Sequence, residues 1–351
     1  MRGFGMIKIG QVGWLDHPVP QCGPLDAIIR PIAVAPCTSD VMVYHGFAGE
    51  HDDIIIGHEA VGIIEKTGEL VTRFHPGDRV AVPCVTPDWL APGVQNPRRV
   101  AHDAGEQASS KFGSAKDGVM AELFHVNHAD ANLAAIPESV TNEAALMATD
   151  MMATGLHGAA VAEVGFGDTV VVVGIGPVGL MAVAGAILRG AGRVIAVGTR
   201  AAAIPVALGY GASEVISYRN GTISTQVLAL TDGLGADEVI VAGGDIVTLA
   251  EAVRAVRPGG IVSNINFQDE RAVLRLPMLS WGLGMSDKDI RGSYCPGGGE
   301  MTAAMLRLIE HGRLDPTRMI THRFHGWDCL PEAFYLMDAK PADLIKPVVF
   351  L

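Results

Sequence analysis

Residues 169–189 read TVVVVGIGPVGLMAVAGAILR, and the fold turns on how they are read. Thr169–Val173 is a β-branched run of the kind that forms a strand buried on both faces. Gly174-Ile175-Gly176-Pro177-Val178-Gly179 interrupts it, and residues 180–189 then suit a helix. In that setting G-x-G-x-x-G has a physical meaning. Gly174 permits the tight turn, Gly176 lets the backbone approach a pyrophosphate, and Gly179 lets helix and strand pack closely. The N–H groups at the helix start remain available to the anion. An ordinary strand–helix turn is the plain alternative in a chain with 43 glycines. The strand before and the helix after favour the dinucleotide reading. The same glycines, with Pro177 and Gly185, argue against a membrane span through this apolar stretch.

Downstream, Arg193–Val197 reads as a second strand, and residues 215–217, 238–242 and 260–264 continue the series. Residues 246–256 read as one of the intervening helices. Strands alternating with helices predict a doubly wound parallel sheet, covered on both faces. Upstream, the first ~150 residues read as strand and turn. Residues 26–31, 60–65 and 78–83 are short β-branched runs, and His75-Pro76-Gly77-Asp78 is a turn. Beyond Pro296 a helix over 301–310 leads into a mixed tail ending at 346–351.

The end of the second strand bears on the cofactor. NAD sites usually carry an acid there for the ribose 2′-hydroxyl. This chain has Gly198-Thr199-Arg200. Glycine removes the repulsion and leaves room for a 2′-phosphate, while Thr199 and Arg200 can donate hydrogen bonds to it. Tyr218 ends the next strand and can cover the same group. These residues point to NADP; a solvated charge is the alternative for Arg200.

Bulk composition excludes other classes. The 351 residues are 49% hydrophobic and 18% charged, with a net charge of −12 from 26 basic and 38 acidic side chains. That balance argues against nucleic acid as the partner. Cys22, Cys37, Cys84, Cys295 and Cys329 are scattered without a CxxC pair, which suits reduced thiols in the cytoplasm better than a disulfide framework. The N-terminal MRGFGMIKIG lacks a signal-peptide apolar run, so neither export nor a membrane partner is expected.

Cys37-Thr38-Ser39-Asp40, Gly57-His58-Glu59-Ala60-Val61-Gly62 and Asp150 supply sulfur, imidazole and carboxylate. Such a mixed set suits Zn²⁺, and three protein ligands leave an open catalytic position. Singly, each residue has a plainer role: a buried thiol as a small apolar group, a histidine as a satisfied polar one. Spacing alone leaves both readings open.

Taken in order, these segments resemble the medium-chain zinc alcohol dehydrogenases, most nearly the bacterial NADP-dependent secondary-alcohol dehydrogenases. The resemblance spans essentially the whole chain and also rests on Ala35-Pro36 before Cys37, Asp150-Met151-Met152, and Asp343-Leu344-Ile345-Lys346-Pro347-Val348-Val349. It implies an α/β fold, a Rossmann domain at 154–296 inserted into a β-rich GroES-like catalytic domain at 1–153 and 297–351. It implies zinc ligands Cys37, His58 and Asp150, with Glu59 as an occasional fourth. Asp40 would orient His58, and Ser39, beside Thr38, would pass the alcohol proton outward. NADP contacts would come from Gly174, Ile175, Gly176, Pro177, Val178, Gly179, Gly198, Thr199, Arg200, Tyr218, Ile265, Asn266, Phe267 and Lys340. A homotetramer acting on small alcohols and ketones is implied as well.

Three departures stand out. Many members hold a structural zinc with four cysteines near residues 85–110; only Cys84 is near here, so one catalytic zinc per subunit is expected. Met42 occupies the position of the usual relay histidine, leaving His45 or water as the proton's exit. Ser110 replaces a bulky aromatic before Lys111-Phe112, which implies a roomier pocket. The rival readings are a zinc-dependent polyol or amino-alcohol dehydrogenase, a zinc-free quinone or enone reductase, and a nucleotide-binding protein without turnover. Met151, Met152 and the 283–285 segment favour an apolar pocket over a polyol site, although methionine is also common core filler.

Overall fold

The computed structural model describes residues 1–47, 51–95, 109–269 and 271–351, apart from the side chains at 93 and 109–111. The chain divides into two units, Met1–Ala153 with Cys295–Leu351, and Thr154–Tyr294.

The second unit contains the doubly wound sheet. Its strands lie in the order Glu214–Ile216, Arg193–Val197, Thr169–Val173, Ala236–Val241, Val256–Asn264 and Asp289–Gly292, all parallel. Helices Pro177–Arg189, Ala203–Gly209, Ile223–Leu230 and Ile246–Ala255 lie between strands. The winding reverses beside Thr169–Val173, and ligands of such sheets bind at that switch point, beyond the carboxyl ends of the strands. Val171, Val173, Ile195, Val197, Val239, Val241 and Val262 form its buried centre. Each contributes about 1.5–3 kcal/mol by leaving water. Two features differ from the sequence reading. Val256–Asn264 starts four residues before 260, at the residue read as the last of the preceding helix, and its register shifts against Ala236–Val241. Asp289–Gly292 adds an edge strand too short and polar to have shown a pattern.

In the first unit, one sheet runs Ala134–Ala135, Arg79–Val82, Ala60–Thr67, Ala27–Val34, Lys346–Phe350 and Ile320–His325, with Phe124–Val126 also paired to Ala27–Val34. The chain's last strand therefore sits beside one of its first, antiparallel at Val349 and Val34. A smaller sheet joins Gln11–Asp16, Arg2–Lys8 and Ile54–Ile55. The core between them is Phe4, Ile29, Ile55, Met120, Phe124 and Phe334, with Phe4 and Phe334 edge to face at 5.7 Å. No helix among the described residues is long and apolar enough to cross a membrane.

Candidate active site

Cys37 caps the helix Thr38–Tyr44. Asp40, in that helix's first turn and 4% exposed, accepts from the Cys37 N–H through Oδ2 at 2.8 Å. Its other oxygen, Oδ1, lies 3.1 Å from His58 Nδ1. One buried carboxylate thus fixes both the backbone of Cys37 and the ring of His58. A ring proton donated from Nδ1 to Asp40 leaves the Nε2 lone pair for another partner. His58 and Glu59 stand in the loop before Ala60–Thr67. Gly57, at φ +94°, aims that loop, a left-handed conformation a side chain would strain.

Asp150 arrives from a different direction. Residues Asn142–Met147 are α-helical, Ala148–Met152 widen into a π turn, and Ala153–Val161 resume the α-helix. Such a turn, common at functional sites, carries Asp150. Asp150 Oδ2 lies 3.4 Å from His58 Nε2 and 3.9 Å from Cys37 Sγ. One ligand atom from each of Cys37, His58, Glu59 and Asp150 falls within 4.8 Å of the others. Zinc bonds of 2.0–2.3 Å at tetrahedral angles separate neighbouring ligands by about 3.3–3.8 Å. The set needs only a slight contraction around such an ion.

Charges around the pocket favour a cation. Burial opposes charge on His58, yet the carboxylates of Asp40 and Asp150 hold its pKa well above the ordinary value. An entering cation would displace that proton. Burial pushes the Glu59 carboxyl up, and the Lys346 ammonium opposes this. Lys346 Nζ donates to Glu59 Oε1 at 2.5 Å and to the Pro36 carbonyl at 3.0 Å, both charged side chains being fully enclosed. Glu59 Oε2 has no hydrogen-bond partner. A buried, orphaned carboxylate oxygen beside a thiol, an imidazole and a second carboxylate fits a metal ion in its chemistry as well as its spacing.

Ser39 Oγ is 3.3 Å from His58 Nε2, and Thr38 is half-buried in the same turn. Met42 is half-buried, and the exposed His45 points its Nε2 at Asp338 Oδ1, 2.9 Å away. The Ser110 side chain lies outside the described residues. Met151 and Met152 are buried, whereas Leu283 and Met285 are exposed.

The nucleotide candidates gather in the second unit. Gly174 has φ +95°, and a Cβ on Gly179 would sit 1.7 Å from the Gly174 oxygen, so this helix packs only against glycine. At Gly176, the N-cap of helix Pro177–Arg189, a Cβ would meet nothing within 4 Å, so no protein atom crowds the backbone there. Gly198 has a second reason to be glycine, because a Cβ there would lie 2.2 Å from Ile175 Cγ1. Thr199 Oγ1 donates to the Tyr218 hydroxyl at 3.0 Å, and Arg200 is half-buried just ahead of helix Ala203–Gly209. Ile265, Asn266 and Phe267 follow the strand Val256–Asn264; Asn266 Nδ2 donates to the Gly244 carbonyl at 2.8 Å. Lys340 belongs to the first unit, exposed at the end of helix Leu330–Ala339.

Two features escaped the sequence reading. Lys346 is a lone cation in an otherwise apolar tail, a visible oddity whose partner 287 residues away was not. Cys84 and Cys295, read separately as scattered thiols, converge with Asp150: the two sulfurs and a carboxylate oxygen also lie within 4.8 Å of one another. The Cys84 thiol is held well above its usual pKa by Cys295, burial and the Asp150 charge.

Known proteins align with this arrangement along its length. The profile of the alcohol dehydrogenase GroES-like domain matches residues 23–138, and that of the zinc-binding dehydrogenases matches residues 177–311. The NADP-dependent isopropanol dehydrogenase of Thermoanaerobacter brockii is 51% identical, with 100% of both chains covered. The enzyme of the same name from Clostridium beijerinckii is 50% identical, again with 100% of both covered. Among solved structures, an alcohol dehydrogenase from Thermus sp. ATN1 superposes with a TM-score of 0.85 at 27% identity, covering 100% of this chain and 99% of its own.

Proposed function

Since the chain belongs to the zinc-dependent, medium-chain alcohol dehydrogenases, we propose that it interconverts small secondary alcohols and ketones with NADP(H), using one catalytic zinc ion held by Cys37, His58 and Asp150. The convergence of four ligand atoms from Cys37, His58, Glu59 and Asp150 within 4.8 Å carries the reading. The two relatives named as isopropanol dehydrogenases support the substrate class.

When bound, zinc supplies Lewis acidity toward an alcohol oxygen, and NADP(H) supplies the hydride acceptor or donor. The chain's own residues do the rest. Asp40 holds His58 in the tautomer that frees Nε2, and Lys346 balances Glu59, so that Glu59 remains available as a further ligand without leaving a bare charge buried. Ser39 Oγ receives the proton of the alcohol hydroxyl and passes its own outward. Met42 carries no proton, so His45, whose Nε2 lies 2.9 Å from Asp338 Oδ1, or water is the carrier beyond Ser39. The uncrowded backbone at Gly176 lets the pyrophosphate approach the helix start, and Thr199, Arg200 and Tyr218 hold the 2′-phosphate. Lys340 is included among the cofactor contacts on the family resemblance alone. A homotetramer working in the cytoplasm completes the proposal, supported by the family resemblance and by five cysteines that are all unpaired thiols.

A panel of 2-propanol, 2-butanol, ethanol and a polyol, each with NADP⁺ and NAD⁺, tests the substrate and cofactor together. Secondary alcohols with NADP⁺ are expected to give the highest kcat/KM, and preference for the polyol would overturn the substrate assignment. His58→Ala and Asp150→Ala are expected to lose zinc and activity in parallel. Full turnover by a zinc-free preparation would overturn the mechanism.

A further inference from the structure

We propose that Cys84, Cys295 and Asp150 form a second metal site, suited to a thiophilic d¹⁰ cation such as Cd²⁺ or surplus Zn²⁺, and that filling it inhibits the enzyme by competing with the catalytic set for Asp150.

Backbone contacts build this cluster from both sides. The Cys84 N–H donates to the carbonyl of Thr149, the residue preceding Asp150, at 3.0 Å. Beyond Cys295, the Gly298 N–H donates to the Val85 carbonyl at 3.2 Å. Gly297 packs so closely that a Cβ on it would lie 2.4 Å from the same oxygen. The segment carrying each thiol is therefore anchored next to its neighbour. Cys84, Cys295 and Asp150 are 8%, 4% and 8% exposed.

Buried thiols commonly serve as small apolar residues. A pair of them converging on a carboxylate is a poor apolar contact and a good donor set. Two thiolates and one carboxylate bind Zn²⁺ or Cd²⁺ tetrahedrally, with the fourth position open to water. Binding a divalent cation releases the two thiol protons and forms two metal–sulfur bonds; no electrons are transferred. Asp150 Oδ2 already faces Cys37 Sγ and His58 Nε2. A carboxylate drawn toward a second cation, or bridging two, is a weaker donor to the first. Inhibition therefore rests on the catalytic reading of Cys37, His58 and Asp150, whereas binding does not.

The test titrates zinc-loaded, thiol-reduced enzyme with CdCl₂. Bound zinc and cadmium per chain are counted after desalting, the ultraviolet thiolate-to-cadmium absorption is recorded, and activity is followed in parallel. Wild type is expected to take up one cadmium while keeping its zinc, to gain the thiolate band, and to lose activity reversibly on chelation. Cys84→Ala and Cys295→Ala are expected to lose the band and the additional equivalent, and Cys84→Ser repeats the test with side-chain size retained. For Cys84→Ala, basal activity should stay close to wild type while the cadmium inhibition midpoint rises by about tenfold or more. Cadmium that replaces zinc one for one, or that binds equally in wild type and variants, would overturn the site. Binding lost in the variants while wild-type activity is unaffected by the added cation would overturn the inhibition alone.

Discussion

Replacing Lys346 by methionine removes the ammonium that faces Glu59 and keeps most of the side-chain volume. In the folded protein that ammonium lies 2.5 Å from Glu59 Oε1 and 3.0 Å from the Pro36 carbonyl. Both side chains are 0% exposed, so water cannot take over its role. Breaking a buried pair from one side costs about 3–5 kcal/mol, because Glu59 must then stay buried as an unpartnered charge or take up a proton. Against a total stability of about 5–15 kcal/mol this is a large loss. At about 2–4 °C per kcal/mol for a domain of this size, the first unit should melt about 6–20 °C lower. Thermal unfolding by near-ultraviolet circular dichroism measures it, with and without added zinc. Zinc should narrow the deficit, since Glu59 can then turn to the cation. The double variant Glu59→Gln/Lys346→Met removes both charges and should recover most of the loss, giving a coupling of about 2 kcal/mol or more. If the double variant loses the sum of the two single effects, Glu59 and Lys346 are not a coupled pair and the electrostatic account of the pocket is wrong.

Asp40→Asn keeps the size of Asp40 but weakens its hold on His58 Nδ1; zinc affinity should fall about 10- to 100-fold in a chelator competition, and unchanged affinity would remove Asp40 from the metal's support. Arg200→Ala should raise KM for NADP⁺ about tenfold to a hundredfold, the worth of a charge-assisted hydrogen bond, and leave KM for NAD⁺ nearly unchanged; equal effects on both cofactors would exclude a phosphate role. Glu238, buried beside Asp168 and Asp237, has its carboxyl pushed up to about 8 by burial and by these two acids. Its folded-state pKa exceeds the unfolded value, so its contribution is fully present below about pH 4.5 and is lost as pH rises through about 8. The full shift corresponds to about 5 kcal/mol, which screening reduces to about 2. Glu238→Gln should therefore gain stability over wild type between pH 5 and 9 in urea denaturation; a difference that does not vary with pH would show that Glu238 does not titrate in this way.

Local chemistry explains why the nucleotide unit was the most legible part. Thr169–Val173 and the helix Pro177–Arg189 are set by β-branched residues, by a glycine at positive φ and by a proline in the helix's first turn, all adjacent in the chain. Thr199 and Tyr218 could be paired in advance because successive strands of a parallel sheet end on the same edge. Features with no local cause are not legible in this way. Nothing in residues 142–161 announces the π turn at Ala148–Met152 that carries Asp150. The start of Val256–Asn264, at the residue read as the last of the preceding helix, is another such feature, and the sheet accommodates it with a register shift.

By itself, then, the sequence determined the element types, the glycine turn, the missing acid at Gly198 and the inventory of sulfur, imidazole and carboxylate donors. Their residue types and neighbours suffice for that. Only the tertiary structure decided which donors meet. Lys346 finds Glu59 across 287 residues because the last strand lies against Ala27–Val34. Cys84 joins Asp150 because its N–H bonds the Thr149 carbonyl, and Cys295 follows because Gly298 bonds Val85. Such pairings arise when distant strands and turns close into one core, and the energy that selects them is spread over that packing and written in no single segment.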